Sequence, residues 1–146
     1  MDEQLSRLRK AVKDAVLLDE HGDTNSAIQL LEEVNQEFPN RASVKRYLGW
    51  FLASQGKYPE AIDYARMSVD LASNSELSSL TLFHALWDAG SQEQAIEEAK
   101  RFKRETLSCN YDDILDSWNS NVRQANYARD PHRLHGHSPK KRPNDH

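Results

Sequence analysis

The stretch Gly56-Lys57-Tyr58-Pro59-Glu60-Ala61-Ile62 reads as a turn running into a helix start, and its skeleton recurs on both sides at one distance. Gly22, Gly56 and Gly90 are 34 residues apart at each step, as are Ala27, Ala61 and Ala95, and Ile28, Ile62 and Ile96. Three residue classes that keep one period mark a stacked repeat array, since periods of about 20–50 residues belong to small units that bury their apolar faces on one another.

Working outward, Pro59 suits the first turn of a helix, where its missing N–H is not needed and its fixed φ is already helical. Ala61, Ile62, Ala65, Val69 and Leu71 carry that helix to a break at Ser73-Asn74-Ser75. Before Gly56, the residues Val44, Tyr47, Leu48, Phe51 and Leu52 follow three- and four-residue steps, so a helix begins near Asn40 and stops at the glycine. Upstream lies a similar pair. Leu5, Leu8, Val12, Ala15 and Leu18 form an amphipathic helix to about His21; Thr24 or Asn25 caps a second helix through Ala27, Ile28, Leu30, Leu31 and Val34, which closes at Phe38-Pro39. Downstream, a third pair spans Glu76 to Ala89 and, after Gly90, Ser91 to about Glu105, opened by the capping-box pattern Ser91-Gln92-Glu93-Gln94. A seventh helix is expected from Tyr111 to Ala128, capped by Asn110, with Tyr111, Ile114, Leu115, Trp118, Val122 and Ala125 on one side. One wet face is what a terminal element of an array needs.

The 146 residues, 38% hydrophobic and 29% charged, suffice for a core without staples. The single cysteine, Cys109, cannot pair within the chain; the N-terminus lacks the apolar core of a secretory signal, and no run approaches a membrane span. A cytoplasmic protein is the expectation. The net charge of −4 is unevenly placed, because residues 129–146 carry five Lys/Arg against two Asp. Their Pro, His, Lys, Arg and Asn content is too poor in apolar surface to offset ordering entropy, so 129–146 is expected to be a disordered basic tail.

Residues 8–109 resemble three tetratricopeptide repeats, about 8–41, 42–75 and 76–109, with 111–128 as the C-terminal capping helix of a domain spanning 1–128. The resemblance implies an all-α, right-handed superhelical array of antiparallel helix pairs, seven helices in all, each pair made of a helix A and a helix B. The family's small positions where A and B cross are held by Ala15, Gly49 and Phe83 in helix A, and by Ala27, Ala61 and Ala95 in helix B. Gly-x-Tyr-x-x-Ala is complete only at Gly56, Tyr58 and Ala61. The chain departs from the family where Ala11, Lys45 and Ser79 replace the helix-A tryptophan, and where Ser73 and Leu107 replace the closing proline kept at Pro39. Phe83 at a small position needs room on the opposite helix, which Ala95 and Ala99 provide.

In such arrays the A helices line the concave face, so the resemblance implies ligand contacts from A-helix residues off the core stripe. Arg9, Val12, Lys13 and Val16, then Arg46, Trp50 and Ala53, then Leu80, His84 and Trp87 fall there. Trp50 lies about 100° from Phe51 and 200° from Leu48, off the core-filling side. The partner-binding groove is accordingly assigned to Lys13, Val16, Arg46, Trp50, Ala53, Leu80, His84 and Trp87. Leu77, Leu80, Leu82, Phe83, Leu86 and Trp87 make the third A helix apolar nearly all round, which fits deep burial equally, and Trp87 suits core or groove. The basic and amide clamp with which some relatives hold chaperone C-termini falls on Val12, Val16, Trp50, Leu80 and His84, and none matches it.

Catalytic patterns are thin. Cys109 has no histidine placed as its base, the pairs Glu32-Glu33, Glu97-Glu98 and Asp112-Asp113 fit solvated helix faces, and neither a Gly-rich phosphate loop nor a C-x-x-C spacing occurs. His132, His135 and His137 could gather a soft divalent ion only weakly, so no metal or cofactor is expected. Ser138-Pro139-Lys140-Lys141-Arg142-Pro143 is similar to short basic nucleic-acid or nuclear-import motifs. The expectation is a non-enzymatic adaptor or chaperone-like module that binds another protein's segment in its groove, with no small-molecule substrate and no membrane. The alternative is a nucleic-acid-associated recruitment protein that uses the tail.

Overall fold

The computed structural model describes residues 2–106 and 111–129, with side chains for 3–106 and 111–122. Among these residues it has seven α-helices and no strand: α1 (Asp2–Glu20), α2 (Thr24–Glu37), α3 (Ala42–Ser54), α4 (Tyr58–Leu71), α5 (Glu76–Asp88), α6 (Gln92–Thr106) and α7 (Asp112–Arg129). Every expected helix is present, in order. The expected cap Asn110, Cys109 and residues 130–146 lie outside the described residues.

The recurring glycines have one physical job. Gly22, Gly56 and Gly90 take φ of 85°, 76° and 88°, a left-handed conformation that a Cβ penalises. In the first turn Gly22 N–H donates to Asp19 O at 2.9 Å and Asp23 N–H to Leu18 O at 2.8 Å. The same two bonds return at Gly56→Ala53 and Lys57→Leu52, and at Gly90→Trp87 and Ser91→Leu86, all within 2.9–3.0 Å. This six-to-one, five-to-two pair closes the otherwise orphaned carbonyls of each A helix and turns the chain back along it.

Two helix starts differ from expectation. Asp23, rather than Thr24 or Asn25, caps α2, its carboxylate accepting Ser26 N–H at 3.2 Å. Thr24 Oγ1 instead donates to Asp19 Oδ1 at 2.7 Å, and Asn25 Oδ1 accepts from Gln55 Nε2 at 2.6 Å, linking the first turn to the second. Helix α3 begins at Ala42 and not near Asn40, because Arg41 is extended (φ −105°, ψ 113°). Pro59 sits in the first turn of α4.

The chain divides into two compact units, Met1–Leu107 and Ser108–His146. In the first, α1 packs on α2, α3 on α4 and α5 on α6, while α2 meets α3, α4 meets α5, and α3 meets α5. Ala15, Ala27, Ala61, Ala65, Ala95 and Ala99 are fully buried, the small residues that let the helices approach. At Gly49 the approach is closest: a Cβ there would stand 3.1 Å from Ala61 O and 3.3 Å from Ala65 N, both backbone atoms of α4. Leu31, Val44, Leu48, Phe51, Leu86 and Ile96 fill the space between, each contributing about 1.5–3 kcal/mol on burial. In the second unit Tyr111 and Leu115 are buried while Asp113, Asp116 and Asn119 are exposed, as expected of that helix, but Val122 of the expected apolar side is 40% exposed.

The third A helix corrects the expectation of all-round burial. Leu77 is 58% exposed, whereas Ser78, Ser79 and Thr81 are buried. These hydroxyls have partners, which is what makes their burial tolerable. Ser78 Oγ and Ser68 Oγ are 2.6 Å apart, Ser68 Oγ donates to Ala42 O at 2.9 Å, and Thr81 Oγ1 donates to Leu77 O at 2.8 Å. Ser79 Oγ donates at 2.6 Å to Glu98, whose carboxylate is gripped at both oxygens by Arg101 at 2.8 and 2.6 Å. Arg101 also reaches Ser73 O and Glu105. Its bonds to Glu98, chiefly, hold the guanidinium pKa above its ordinary value, against the opposing effect of burial.

Candidate functional site

The residues expected to form the groove lie on α1, α3 and α5. Six of the eight are on α3 and α5. Trp50 is 50% exposed, and its ring stands edge-on to that of the exposed His84, centroids 6.3 Å apart at 88°. His84 in turn meets Phe83 edge-on at 5.6 Å, and Phe83 stacks on Trp87 at 5.7 Å and 17°. Phe83 is buried and Trp87 half-buried, so this row of rings runs from the core outward. A helix rotation of 100° per residue explains the difference between neighbours: Phe51 faces the core, and Trp50 is turned out of it. Leu80 and Ala53 are half-buried.

The other members, Lys13 and Val16, stand at the α1 end. Here α1 and α3 do not pack as closely as α3 and α5 do, and an open recess of about 470 Å³ lies between them. Leu5, Leu8, Val12, Val16 and Tyr47 are its apolar lining, and Arg9, Lys13, Arg41 and Ser43 its polar one. Arg46 lays its guanidinium 4.5 Å from the Tyr47 ring, a cation–π contact that fixes both. Five of the eight expected residues therefore fall in two patches rather than one. Trp50, His84 and Trp87 belong to a row of rings on α3 and α5, and Lys13 and Val16 to the recess between α1 and α3.

Sequence reasoning missed Arg41, which it treated only as a seam between repeats, and gave Tyr47 to the core alone. The available signal was position: Arg41 immediately precedes a helix that faces the basic side of α1. The same reasoning named Lys45 as a replacement for the family tryptophan but not the partners that Lys45 finds. Lys45 is buried, its Nζ donating to Asn35 Oδ1 at 2.7 Å and lying 6.0 Å from the Tyr64 ring. Burial pushes the Lys45 pKa down; burial first, then the charges of Glu32 and Glu60, pushes that of Tyr64 up.

Among the described residues no cluster of three or more His, Cys, Asp or Glu could hold a metal ion, and no helix is long and apolar enough to cross a membrane. The histidines 132, 135 and 137 and the basic run 140–142 fall outside the described residues.

Comparison with curated proteins gives no match. A family model described as tetratricopeptide repeat matches residues 20–81, from the Gly22 turn through α2, α3 and α4 into α5. With the same turn repeated at Gly90 and neighbouring helix pairs in contact throughout the first unit, the seven-helix array of the described residues is consistent with tetratricopeptide repeats, the family that residues 20–81 match.

Proposed function

We propose that this chain is a non-catalytic cytoplasmic adaptor or chaperone-like module that holds a segment of another protein against the face built by α1, α3 and α5. Tetratricopeptide repeats generally mediate protein–protein binding, and repeats at about 8–41, 42–75 and 76–109 with a capping helix at about 111–128 would provide that face. The observation that supports the reading best is Trp50. A large aromatic residue left half exposed beside the buried Phe51 is the type that anchors partners, since tryptophan is enriched among residues dominating binding energy. His84 and Trp87 beside it, Arg46 on the same helix, Leu80 and Ala53 near by, and Lys13 and Val16 at the α1 end complete the proposed contact set.

The test is affinity capture with the full chain, a chain ending at residue 128, and Trp50→Ala, each with and without nuclease. A partner retained by the full and shortened chains, insensitive to nuclease and lost with Trp50→Ala, supports the adaptor. Capture that requires residues 129–146 and disappears with nuclease would instead favour the alternative, a nucleic-acid-associated recruitment protein using its basic tail. Capture unchanged by Trp50→Ala would remove Trp50 from the site.

A further inference from the structure

The recess between α1 and α3 differs from the other clefts in its charge. In the cleft between α1 and α2, Arg7 pairs with Glu37 and Lys10 with Asp14. In that lined by α4, α5 and α6, Arg66 bonds Gln94 and Arg101 bonds Glu98 and Glu105. Around the α1–α3 recess, the side chains of Arg9, Lys13 and Arg41 have neither a carboxylate nor another hydrogen-bond partner among the described residues. Three unneutralised cations thus share one cavity on a chain whose net charge is −4. Like charges gathered around low-dielectric walls focus a positive potential, and an anion entering there is attracted more strongly than at an open surface.

Below that rim the lining is hydrocarbon and one aromatic ring, and the volume of about 470 Å³ is in the range of sites that enclose ligand side chains. An inorganic anion would satisfy the rim and leave the floor wet. A wholly apolar group would fill the floor and leave the cations unmatched. We propose that the recess binds a partner-protein segment in which Asp or Glu adjoins a large apolar residue, the apolar side chain seating on Val12, Val16 and Tyr47 and the carboxylate meeting Lys13, Arg9 and Arg41. This rests on the groove reading and names the chemistry at one end of it. The chain's own residues 129–146 are the wrong occupant, because their excess of Lys and Arg is repelled by the rim.

The experiment titrates the ¹⁵N-labelled full chain with three short synthetic peptides. The first alternates Asp or Glu with Leu or Phe; the second replaces the acids by Lys; the third replaces the apolar residues by Ala. Only the first should saturate, with amide shifts centred on Val12, Lys13 and Tyr47, and its affinity should fall as salt rises. Lys13→Glu with Arg41→Glu, both at exposed positions, should weaken it about tenfold or more, as expected for reversing two partly screened ion pairs. Equal binding of the Lys peptide, indifference to the charge reversals, or no saturable shift with the acidic peptide would overturn the proposal. Saturating shifts confined to Trp50, His84 and Trp87 would overturn it too, while leaving the broader groove reading standing. Concentration-dependent shifts at the recess without any peptide would assign it to a second copy of the chain and equally refute a foreign segment.

Discussion

Trp50→Ala and Phe51→Ala are adjacent substitutions on one helix, and the structure sets their costs apart. Tryptophan and phenylalanine bury about 150–250 Å² when enclosed, so Trp50 at 50% exposure withdraws only about 100–125 Å² from water. At about 25 cal/mol per Å² this is worth roughly 2.5–3 kcal/mol. Two corrections reduce it, and a third term adds little. The unfolded chain already hides some 10–40% of that area. Alanine returns about half a kcal/mol of helix propensity. Little cavity cost arises, since water fills a site already open on one side. The net loss for Trp50→Ala is therefore about 1–2 kcal/mol. Phe51, 2% exposed, leaves a closed void and should cost about 3–5 kcal/mol. Urea unfolding of both variants, monitored by circular dichroism, measures the difference. If the proposed site is correct, Trp50→Ala should also weaken partner binding by about 2 kcal/mol or more. A stability loss for Trp50→Ala as large as that for Phe51→Ala would refute the reasoning, since it would mean that the ring is buried in solution.

Removing Arg101 by Arg101→Met leaves the buried Glu98 carboxylate with the Ser79 hydroxyl but without its charged partner, and should cost about 3–5 kcal/mol in denaturant unfolding; the further change Glu98→Leu in that background should recover a good part of it. Gly56→Ala should cost about 1–2 kcal/mol although nothing lies within 4 Å of the added methyl, the loss being purely that of the left-handed conformation; a neutral result would contradict it. Gly49→Val should cost at least about 2–3 kcal/mol for the opposite reason, because its side chain meets the backbone of α4, and a thermal melt unchanged from wild type would show that the helices can part freely. Lys45 and Tyr64 pull in opposite directions with pH. The lowered Lys45 pKa means that the unfolded chain binds more protons just below its ordinary 10.5, so this contribution grows as pH rises through that window. The raised Tyr64 pKa gives stability present below its ordinary 10.0 and lost as pH rises through the folded value. Lys45→Met removes only the first, so the stability of wild type relative to the variant should increase as pH rises toward the ordinary lysine pKa of 10.5; a flat difference in chemical denaturation would contradict the burial of Lys45.

Much of the fold can be read from neighbours in sequence. Each left-handed glycine turn depends on residues five positions apart, such as Leu18, Gly22 and Asp23, and each helix face on steps of three and four. The period of 34, the helix pairs, the small residues Ala15, Gly49, Ala27, Ala61 and Ala95, and the outward setting of Trp50 from Phe51 all follow from such short-range relations. They are local, so they survive without knowledge of what packs against them. The environments of Lys45, Ser68, Ser78, Ser79 and Glu98 belong to tertiary structure alone, because a polar side chain is stable in a core only when its partner arrives from another helix. Asn35 comes ten residues away, Ser78 ten from Ser68, and Glu98 nineteen from Ser79. The exposure of Leu77 is decided in the same way: those serines, tied to α4 and α6, take the inner side of α5. The recess between α1 and α3 is likewise a matter of spacing between helices that the chain brings together only after an intervening turn and helix, and no periodicity within α1 states how far from α3 it will stand.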